Sequence, residues 1–228
     1  MGAPETDREY ERELRIKETL IREVHHRVKN NLQTIESLLR MQVRRSSDDE
    51  VRSALLEAIT RIGAMAVVHE KLSFSDHEQL ELTSLARAVS EQIKAGFMGG
   101  ESGIAIHVIG EAGYLEAEAA TSMALIIAET VHNAFEHGFA DRQTGTIVIE
   151  LGVIDDRLRV SIEDDGCGLD ESFSLENTPN MGLTLIRTLV EDDLEGSICA
   201  TSAKSHSGAR FEFDVPLPPP PSAATEEG

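Results

Sequence analysis

The stretch Leu20–Leu39 constrains the fold most strongly, because it contains neither glycine nor proline and repeats apolar residues at helical spacing. Those residues step by three or four positions and are Leu20, Val24, Val28, Leu32, Ile35 and Leu39. Residues with this spacing share one face of a helix. We expect the helix to run from about Asp7 to Arg45, roughly 60 Å at 1.5 Å per residue. A helix of that length is rarely stable outside a bundle or coiled coil.

A second apolar row predicts a partner helix over Glu50–Leu72. Its members are Val51, Leu55, Ile59, Ile62, Met65, Val68 and Leu72. The polar break at residues 46–49 predicts a short connection, since Ser or Asp there can cap the helix that follows. A hairpin has too little surface to bury both apolar rows, so we expect two chains to form a homodimer with a four-helix bundle.

Two adjacent histidines, His25 and His26, lie in the middle of the first helix. Neighbours on a helix point about 100° apart, so at least one of them should be exposed on the flank of the hairpin. A partly exposed histidine is suited to proton or phosphoryl chemistry. On this pattern alone, however, most such histidines are solvated surface residues or satisfied core residues.

Charge and composition exclude several classes of partner. The 228 residues carry a formal net charge of -20, which would repel nucleic acid and anionic membrane surfaces. No segment approaches the roughly 20 continuous apolar residues that span a bilayer, and the polar N-terminus lacks the apolar centre of a signal peptide. Cys167 and Cys199 are too few for a disulfide framework. We therefore expect a cytoplasmic protein without direct membrane contact in this chain.

Beyond Gln79 the sequence mixes helical and strand patterns. Helices are predicted at Leu82–Ile93, Glu116–His137 and Met181–Val190. Strands are predicted at Ile104–Ile109, Thr146–Val153, Leu158–Ile162, Ser197–Thr201 and Arg210–Val215, with a turn at Asp155-Asp156. Helices mixed with a largely antiparallel set of strands predict an α+β sandwich. The proline-rich tail is expected to be disordered.

Glu129, Asn133 and His137 are four positions apart, so a helix would place them in one polar stripe. An amide oxygen suits a Mg²⁺ ion that already neutralises phosphates. A carboxylate one turn away could polarise an attacking group. A solvated helix face is the alternative interpretation.

A second polar group, Asp164-Asp165-Gly166-Cys167-Gly168, follows a predicted strand. An Asp at that position can accept a hydrogen bond from the amino group of adenine and would reject guanine, while glycines let the backbone approach a ligand. A tight turn is the alternative, because Asp-Gly is a common turn pair. Further on, Gly182 and Leu183 open a helix whose free N–H groups could bind phosphate, or which simply starts there.

The order of these motifs resembles the core of sensor histidine kinases, in which a dimerisation and histidine-phosphotransfer hairpin precedes a GHKL (Bergerat-type) ATP-binding α/β sandwich. The segment H-H-R-V-K-N-N-L-Q is similar to the subfamily related to HWE kinases. The resemblance covers roughly Ile16–Pro216 and implies four segments. These are an N-terminal extension (1–15), the hairpin (16–78), the ATP-binding domain (79–217) and a tail (218–228).

The resemblance also implies roles for individual residues. His26 matches the phosphoacceptor, with His25 as the lesser candidate, and Asn30 could orient water in a phosphatase reaction. No acidic residue stands immediately after His26, and Glu23, one turn earlier, could take the role of activating it. In the ATP-binding domain the implied roles are Mg²⁺ ligand for Asn133, polarising residue for Glu129, phosphate contact for His137, adenine recognition for Asp164, and nucleotide contacts or loop shaping for Gly166, Gly168, Gly182 and Leu183.

The implied activity is ATP- and Mg²⁺-dependent autophosphorylation on histidine, followed by transfer to an aspartate of a response-regulator receiver domain. An anti-sigma-type serine/threonine kinase is an alternative, because the Glu129 to His137 stripe is similar to that family as well. Such kinases lack the long hairpin. A non-enzymatic dimerisation scaffold with a degenerate ATP fold is a further alternative, which predicts no nucleotide binding.

Overall fold

The computed structural model describes residues 3–75, 79–98, 103–170, 173–176, 180–203 and 207–217. Two helices form the N-terminal hairpin, α1 (Ala3–Arg45) and α2 (Asp49–Leu72). The carboxylate of Asp48 caps α2 by accepting hydrogen bonds from the N–H groups of Glu50 (3.0 Å) and Val51 (3.3 Å). These N–H groups have no partner inside the helix, so the polar break determines where α2 begins. The predicted tail lies outside the described residues.

The apolar face of α1 is wide, and α2 packs along only part of it. His25, Val28 and Leu32 are half-buried on the side of the hairpin contact. Other apolar side chains of α1 remain largely exposed, among them Leu20, Val24, Ile35, Leu38 and Met41. A single chain therefore leaves an apolar surface on the described part of α1.

Further helices and strands follow along the described chain. The helices are α3 (Leu82–Met98), α4 (Ala117–Asn133) and α5 (Met181–Thr188). The strands are β1 (Gln79–Glu81), β2 (Gly103–Gly110), β3 (Tyr114–Glu116), β4 (Thr144–Ile154), β5 (Arg157–Asp164), β6 (Ser197–Ser202) and β7 (Ala209–Pro216). A five-stranded sheet has the order β2-β4-β5-β7-β6, with β2 and β4 parallel and the other neighbours antiparallel. The separate pair β1 and β3 is antiparallel.

The helical hairpin followed by an α+β domain confirms the predicted fold class. The turn at Asp155-Asp156 is confirmed too, because both residues have positive φ (52° and 57°), as a tight hairpin between β4 and β5 requires. The β1–β3 pair was not predicted, since three-residue strands are too short to show an alternation of polar and apolar residues.

The α-helix predicted to continue to His137 is wrong over its last turn. α4 ends at Asn133, and Ala134–Gly138 forms a π-helical turn that is closed by a hydrogen bond from the N–H of Phe139 to the carbonyl of Ala134 (2.9 Å). A π-helical turn is wider than an α-helical one. His137 consequently does not continue the regular spacing of the residues before it.

One continuous core extends from α2 through α3 and α4 to the sheet. Its buried members include Ala64, Val68 and Leu72 of α2, Leu85 of α3, Ile127 of α4, Ile149 of β4 and Phe213 of β7. The second half of α2 is therefore packed together with the α/β domain. Within the described ranges, every helix is too short or too polar to traverse a membrane.

Candidate active site

A cavity of about 430 Å³ opens between the end of α4, the loop after β5 and the start of α5. The lining residues are Asn133, Ala134, His137, Gly138, Asp164, Gly168, Leu169, Asp170, Phe173, Asn180, Leu183, Ala209 and Phe211. Five residues singled out from the sequence are brought together here: Asn133, His137, Asp164, Gly168 and Leu183. Separate elements carry them, so their proximity is a product of the fold.

Asp164 is the last residue of β5 and is 6% exposed. Its Oδ1 accepts hydrogen bonds from the N–H groups of Gly166 (2.9 Å) and Ala209 (3.4 Å). The loop and β7 thus fix the carboxylate at the cavity wall. This motif was interpreted either as a tight turn or as part of a ligand site. The two interpretations are compatible, because Asp164 both closes the turn and lines the cavity.

Glycines let backbone segments meet behind the cavity. Gly168 has φ +84°, and a Cβ atom there would overlap the carbonyl oxygen of Ser207. A Cβ atom at Gly166 would overlap the backbone of Gly138. Gly166 does not itself line the cavity, so it shapes the loop by close packing.

The cavity has an apolar wall that the sequence analysis did not identify. The rings of Phe173 and Phe211 meet edge to face with their centroids 6.4 Å apart, and Leu169 lies on the same lining. Phe211 reads as an ordinary core position of a strand, and Phe173 belongs to a loop without periodicity. Nothing local therefore indicated that the two rings would form one wall of the cavity.

The start of α5 packs closely against α4. The side-chain oxygen of Asn180 caps α5 by accepting a hydrogen bond from the N–H of Leu183 (3.1 Å). A Cβ atom at Gly182 would lie 2.6 Å from Oε2 of Glu129. Glycine thus permits this close approach, and Gly182 contacts Glu129 instead of lining the cavity.

Glu129 does not line the cavity, because α2 holds it. Its side chain is 1% exposed, and its two oxygens accept hydrogen bonds from Nε (2.7 Å) and Nη2 (3.0 Å) of Arg61. Arg61 also donates to Glu57 (3.1 Å). The hydrogen bond to Glu129 raises the pKa of Arg61 above its ordinary value. Sequence periodicity within a helix could not reveal this partner, which is 68 positions away.

The two neighbouring histidines of α1 have different surroundings. His25 is half-buried, and its Nδ1 lies 2.9 Å from Nδ1 of His69 on α2. At so short a distance one ring nitrogen must donate and the other accept. Burial, and then the charge of His25, lower the pKa of His69 below its ordinary 6.5.

His26 is exposed on the flank of the hairpin. The amide of Asn30, one turn later, lies 3.4 Å from its Nδ1. Glu23, the predicted substitute for an activating acid, is instead bonded to Arg27 at 2.6 Å. The hydrogen bond from Arg27 lowers the pKa of Glu23, so this carboxylate is engaged on the helix surface.

The histidines and the cavity lie at opposite ends of α4. His25 and His69 border a surface pocket that includes Glu116, Ala119 and Ser122. Asn133 borders the cavity at the other end of the helix. From Ala119 to Asn133, a helix rises about 21 Å at 1.5 Å per residue. His26, the neighbour of His25, is thus about 20 Å from the cavity along this axis.

Acidification should destabilise the protein partly through His69. Because its pKa is lowered on folding, the unfolded state binds more protons just below pH 6.5. The stabilisation is fully present above that pH and is lost as the pH falls through the lowered pKa of the folded state. Urea unfolding at about pH 7.5 and about pH 5.5 should show this loss, and it should be smaller in His69→Gln.

The exposed His107 provides the control for this measurement. His107→Gln should retain the full pH dependence. Burial also lowers the pKa of His132, so the His69 variant should keep part of the loss. An identical loss in wild type and His69→Gln would contradict the assignment.

Known protein families match both halves of the chain. A family described as histidine kinase matches residues 23–96, and a family described as histidine kinase-, DNA gyrase B-, and HSP90-like ATPase matches residues 118–219. Sensor histidine kinase PdtaS of Mycolicibacterium smegmatis is 41% identical over 82% of this chain and 38% of the relative. The chain thus spans well under half of that relative's length.

More distant similarities extend over most of the chain or over about half of it. A solved structure of the Erythrobacter litoralis EL346 blue-light activated histidine kinase matches 87% of this chain and 59% of its own, with 26% identity and a TM-score of 0.64. Serine-protein kinase RsbW of Listeria innocua is 26% identical over 56% of this chain and 80% of its own. With a histidine kinase hairpin followed by the ATPase domain of that class, this chain belongs to the histidine kinases.

Proposed function

We propose that this chain is the catalytic core of a two-component system. It phosphorylates its own histidine with ATP and passes the phosphoryl group to an aspartate of a response-regulator receiver domain. The observation that carries this proposal is the cavity in which Asp164, Asn133 and His137 meet, on a domain joined to a hairpin with the exposed His26. A reducing cytoplasmic location is part of the proposal and accords with the free thiols of Cys167 and Cys199.

The cavity suits ATP in both shape and polarity. The fixed carboxylate of Asp164 can accept a hydrogen bond from the adenine amino group, and the wall of Phe173 and Phe211 suits the flat base. Asn133 and His137 supply polar groups from the α4 side, where the phosphates would lie. The combination favours an adenine nucleotide over guanine, which presents an oxygen to the same carboxylate.

The polar groups at the α4 side of the cavity also suit a Mg²⁺ ion. The amide oxygen of Asn133 would be one neutral ligand, with phosphate oxygens of the nucleotide supplying others, as this ion prefers. When bound, Mg²⁺ neutralises charge that develops on the transferred phosphoryl group. No cluster of three or more His, Cys, Asp or Glu side chains forms a metal site among the described residues, which accords with a site completed by the nucleotide.

His26 is the proposed nucleophile because it is exposed, whereas His25 is engaged by His69. A nitrogen of the neutral imidazole would attack the γ-phosphorus as the bond to the bridging oxygen breaks and ADP leaves. A receiver domain can reach the same exposed position. Asn30, next to the ring, is proposed to orient water if the protein also removes phosphate.

We also propose a homodimer formed through the hairpin. The apolar face of α1 that includes Val24, Ile35 and Leu38 is exposed in one chain, and a second copy would bury it as a four-helix bundle. A four-helix bundle is the expected arrangement for a hairpin whose apolar surface is only partly buried within one chain. The arrangement of the two chains in the dimer also determines whether a histidine is phosphorylated by the ATP-binding domain of its own chain or by that of the other chain.

The identity of the acceptor is tested by incubation with γ-labelled ATP and Mg²⁺. Label that is lost in acid and stable in base should form on wild type and on His25→Gln, and should be absent from His26→Gln. The His26 variant should still bind ATP, because its side chain is far from the cavity. Loss only in His25→Gln would move the site to that residue, and acid-stable label would favour the serine/threonine kinase alternative.

Adenine recognition is tested by Asp164→Asn. Removing the charged acceptor should weaken ATP binding about 10- to 100-fold, since a hydrogen bond to a charged group contributes about 1.5–3 kcal/mol. Asp165→Asn is the matched control, because Asp165 is the neighbouring carboxylate and does not line the cavity. Wild-type affinity in Asp164→Asn, measured by calorimetry, would contradict the assignment.

Dimerisation is tested by Leu38→Glu. Leu38 is 51% exposed on the apolar face of α1, so a buried charge in a bundle should shift the protein towards monomer in sedimentation velocity. Val153→Glu, at a similarly exposed apolar residue near the β4–β5 turn, should leave the mass unchanged. A monomeric wild-type protein would overturn the bundle.

A further inference from the structure

A buried ion pair joins the two halves of the proposed kinase. One guanidinium group, that of Arg61, binds both carboxylate oxygens of Glu129, at 2.7 and 3.0 Å. The side chains are 19% and 1% exposed, respectively. A two-point contact between planar groups fixes their geometry as well as attracting opposite charges. Arg61 belongs to the phosphotransfer hairpin, whereas Glu129 belongs to the ATP-binding domain.

Two further polar contacts extend this pair along the antiparallel helices α2 and α4. The hydroxyl of Ser53 donates to Glu136 (2.6 Å), and Oγ1 of Thr60 lies 3.2 Å from Nδ1 of His132. We refer to all six residues as the polar seam. It is formed by Ser53, Thr60 and Arg61 of α2, by Glu129 and His132 of α4, and by Glu136 of the π-helical turn that follows α4. The seam fixes where α2 lies along α4.

In this arrangement Glu129 cannot take part in phosphoryl transfer. Both of its oxygens are engaged by Arg61, and the close approach of Gly182 covers the carboxylate from the side of α5. An attacking imidazole therefore cannot donate a hydrogen bond to Glu129 until Arg61 releases it. Asn133, one turn further along α4, remains accessible from the cavity.

The same arrangement separates the reactants. His26 lies about 20 Å from the cavity along α4, so its ring cannot meet a phosphate bound near Asn133. In a parallel bundle, a second copy would hold its own phosphoacceptor at the same height. Phosphorylation between chains would therefore leave the same distance between the histidine and the nucleotide. The seam must open before the phosphoryl group is transferred.

We propose that the Arg61–Glu129 pair is a latch that keeps the kinase at rest, with Arg61 as a positioning residue for Glu129. The inference rests on the proposed function. Opening the seam frees Glu129 and also allows His26 to approach the nucleotide. The N–P bond then forms as the bond from the γ-phosphorus to the bridging oxygen breaks, ADP leaves, and Glu129 accepts the imidazole proton.

Arg61→Gln tests the latch, because it removes the charge and the two-point contact. The initial rate of autophosphorylation should rise about tenfold, which is within the usual range for coupling between sites, while the KM for ATP stays unchanged. Arg61→Lys keeps the charge and should remain nearer the wild-type rate. A merely structural residue would not raise the rate when it is removed. A lower rate in Arg61→Gln would overturn the latch.

Arg52→Gln is the matched control on the same helix. The ion pair between Arg52 and Asp49 is long, at 3.8 Å, and both side chains are half exposed or more. Its removal should leave the rate unchanged. An equal rise in Arg52→Gln would overturn the assignment to Arg61, because it would reflect general loosening of α2.

Hydrogen exchange supplies a readout that does not need kinase activity. Amides of residues 53–61 and 129–136 should exchange faster in Arg61→Gln than in wild type, and unchanged exchange would overturn the latch. Faster exchange without phosphohistidine in any variant would instead refute the proposed function.

A disulfide provides a second test if Arg61→Gln does not fold. In the double variant Thr60→Cys and His132→Cys, the disulfide should abolish the reaction until it is reduced. Full activity of the oxidised variant would overturn the latch.

Discussion

The packing of α4 determines how the rest of the molecule is arranged. The sheet, α2 and α3 all pack against this helix. Buried polar side chains need partners, because an unmatched group costs stability away from water. Thr130 binds the carbonyl of Ile126 within the helix (2.8 Å), whereas Glu129 and His132 find their partners on α2. The polar groups of one buried helix thus place the hairpin.

The active-site cavity depends on the same helix through its irregular end. The π-helical turn after Asn133 brings Gly138 against the glycine loop that follows β5, where Gly166 packs on it without a side chain. The side of the cavity at Asp164 is consequently held by backbone contacts, and the side at Asn133 by a single helix. Movement of α4 relative to α2 would leave the first set of contacts intact. Nucleotide binding and domain rearrangement are therefore structurally separable.

Local patterns predicted most elements because their causes are local. The capping of α2 by Asp48 and the tight turn at Asp155-Asp156 depend on a few neighbouring residues. Five residues of the cavity, among them Asn133 and Asp164, could be named from their order in the chain and a family resemblance. Arg61 could not, because a charged residue on a helix gives no sign of a partner in another domain. Phe173 was missed for the same reason, since only the fold brings it to Phe211.

The length of α1 has a mechanical consequence. His25 faces His69 near the end of α2, so α1 continues past its partner over residues 3–21. This projecting part is about 28 Å long at 1.5 Å per residue. A rigid rod of that length converts a tilt of about 10° at the histidine pair into a displacement of about 5 Å at its tip. Conversely, a modest pull at the tip exerts a large torque where α1 meets α2, the helix that carries Arg61.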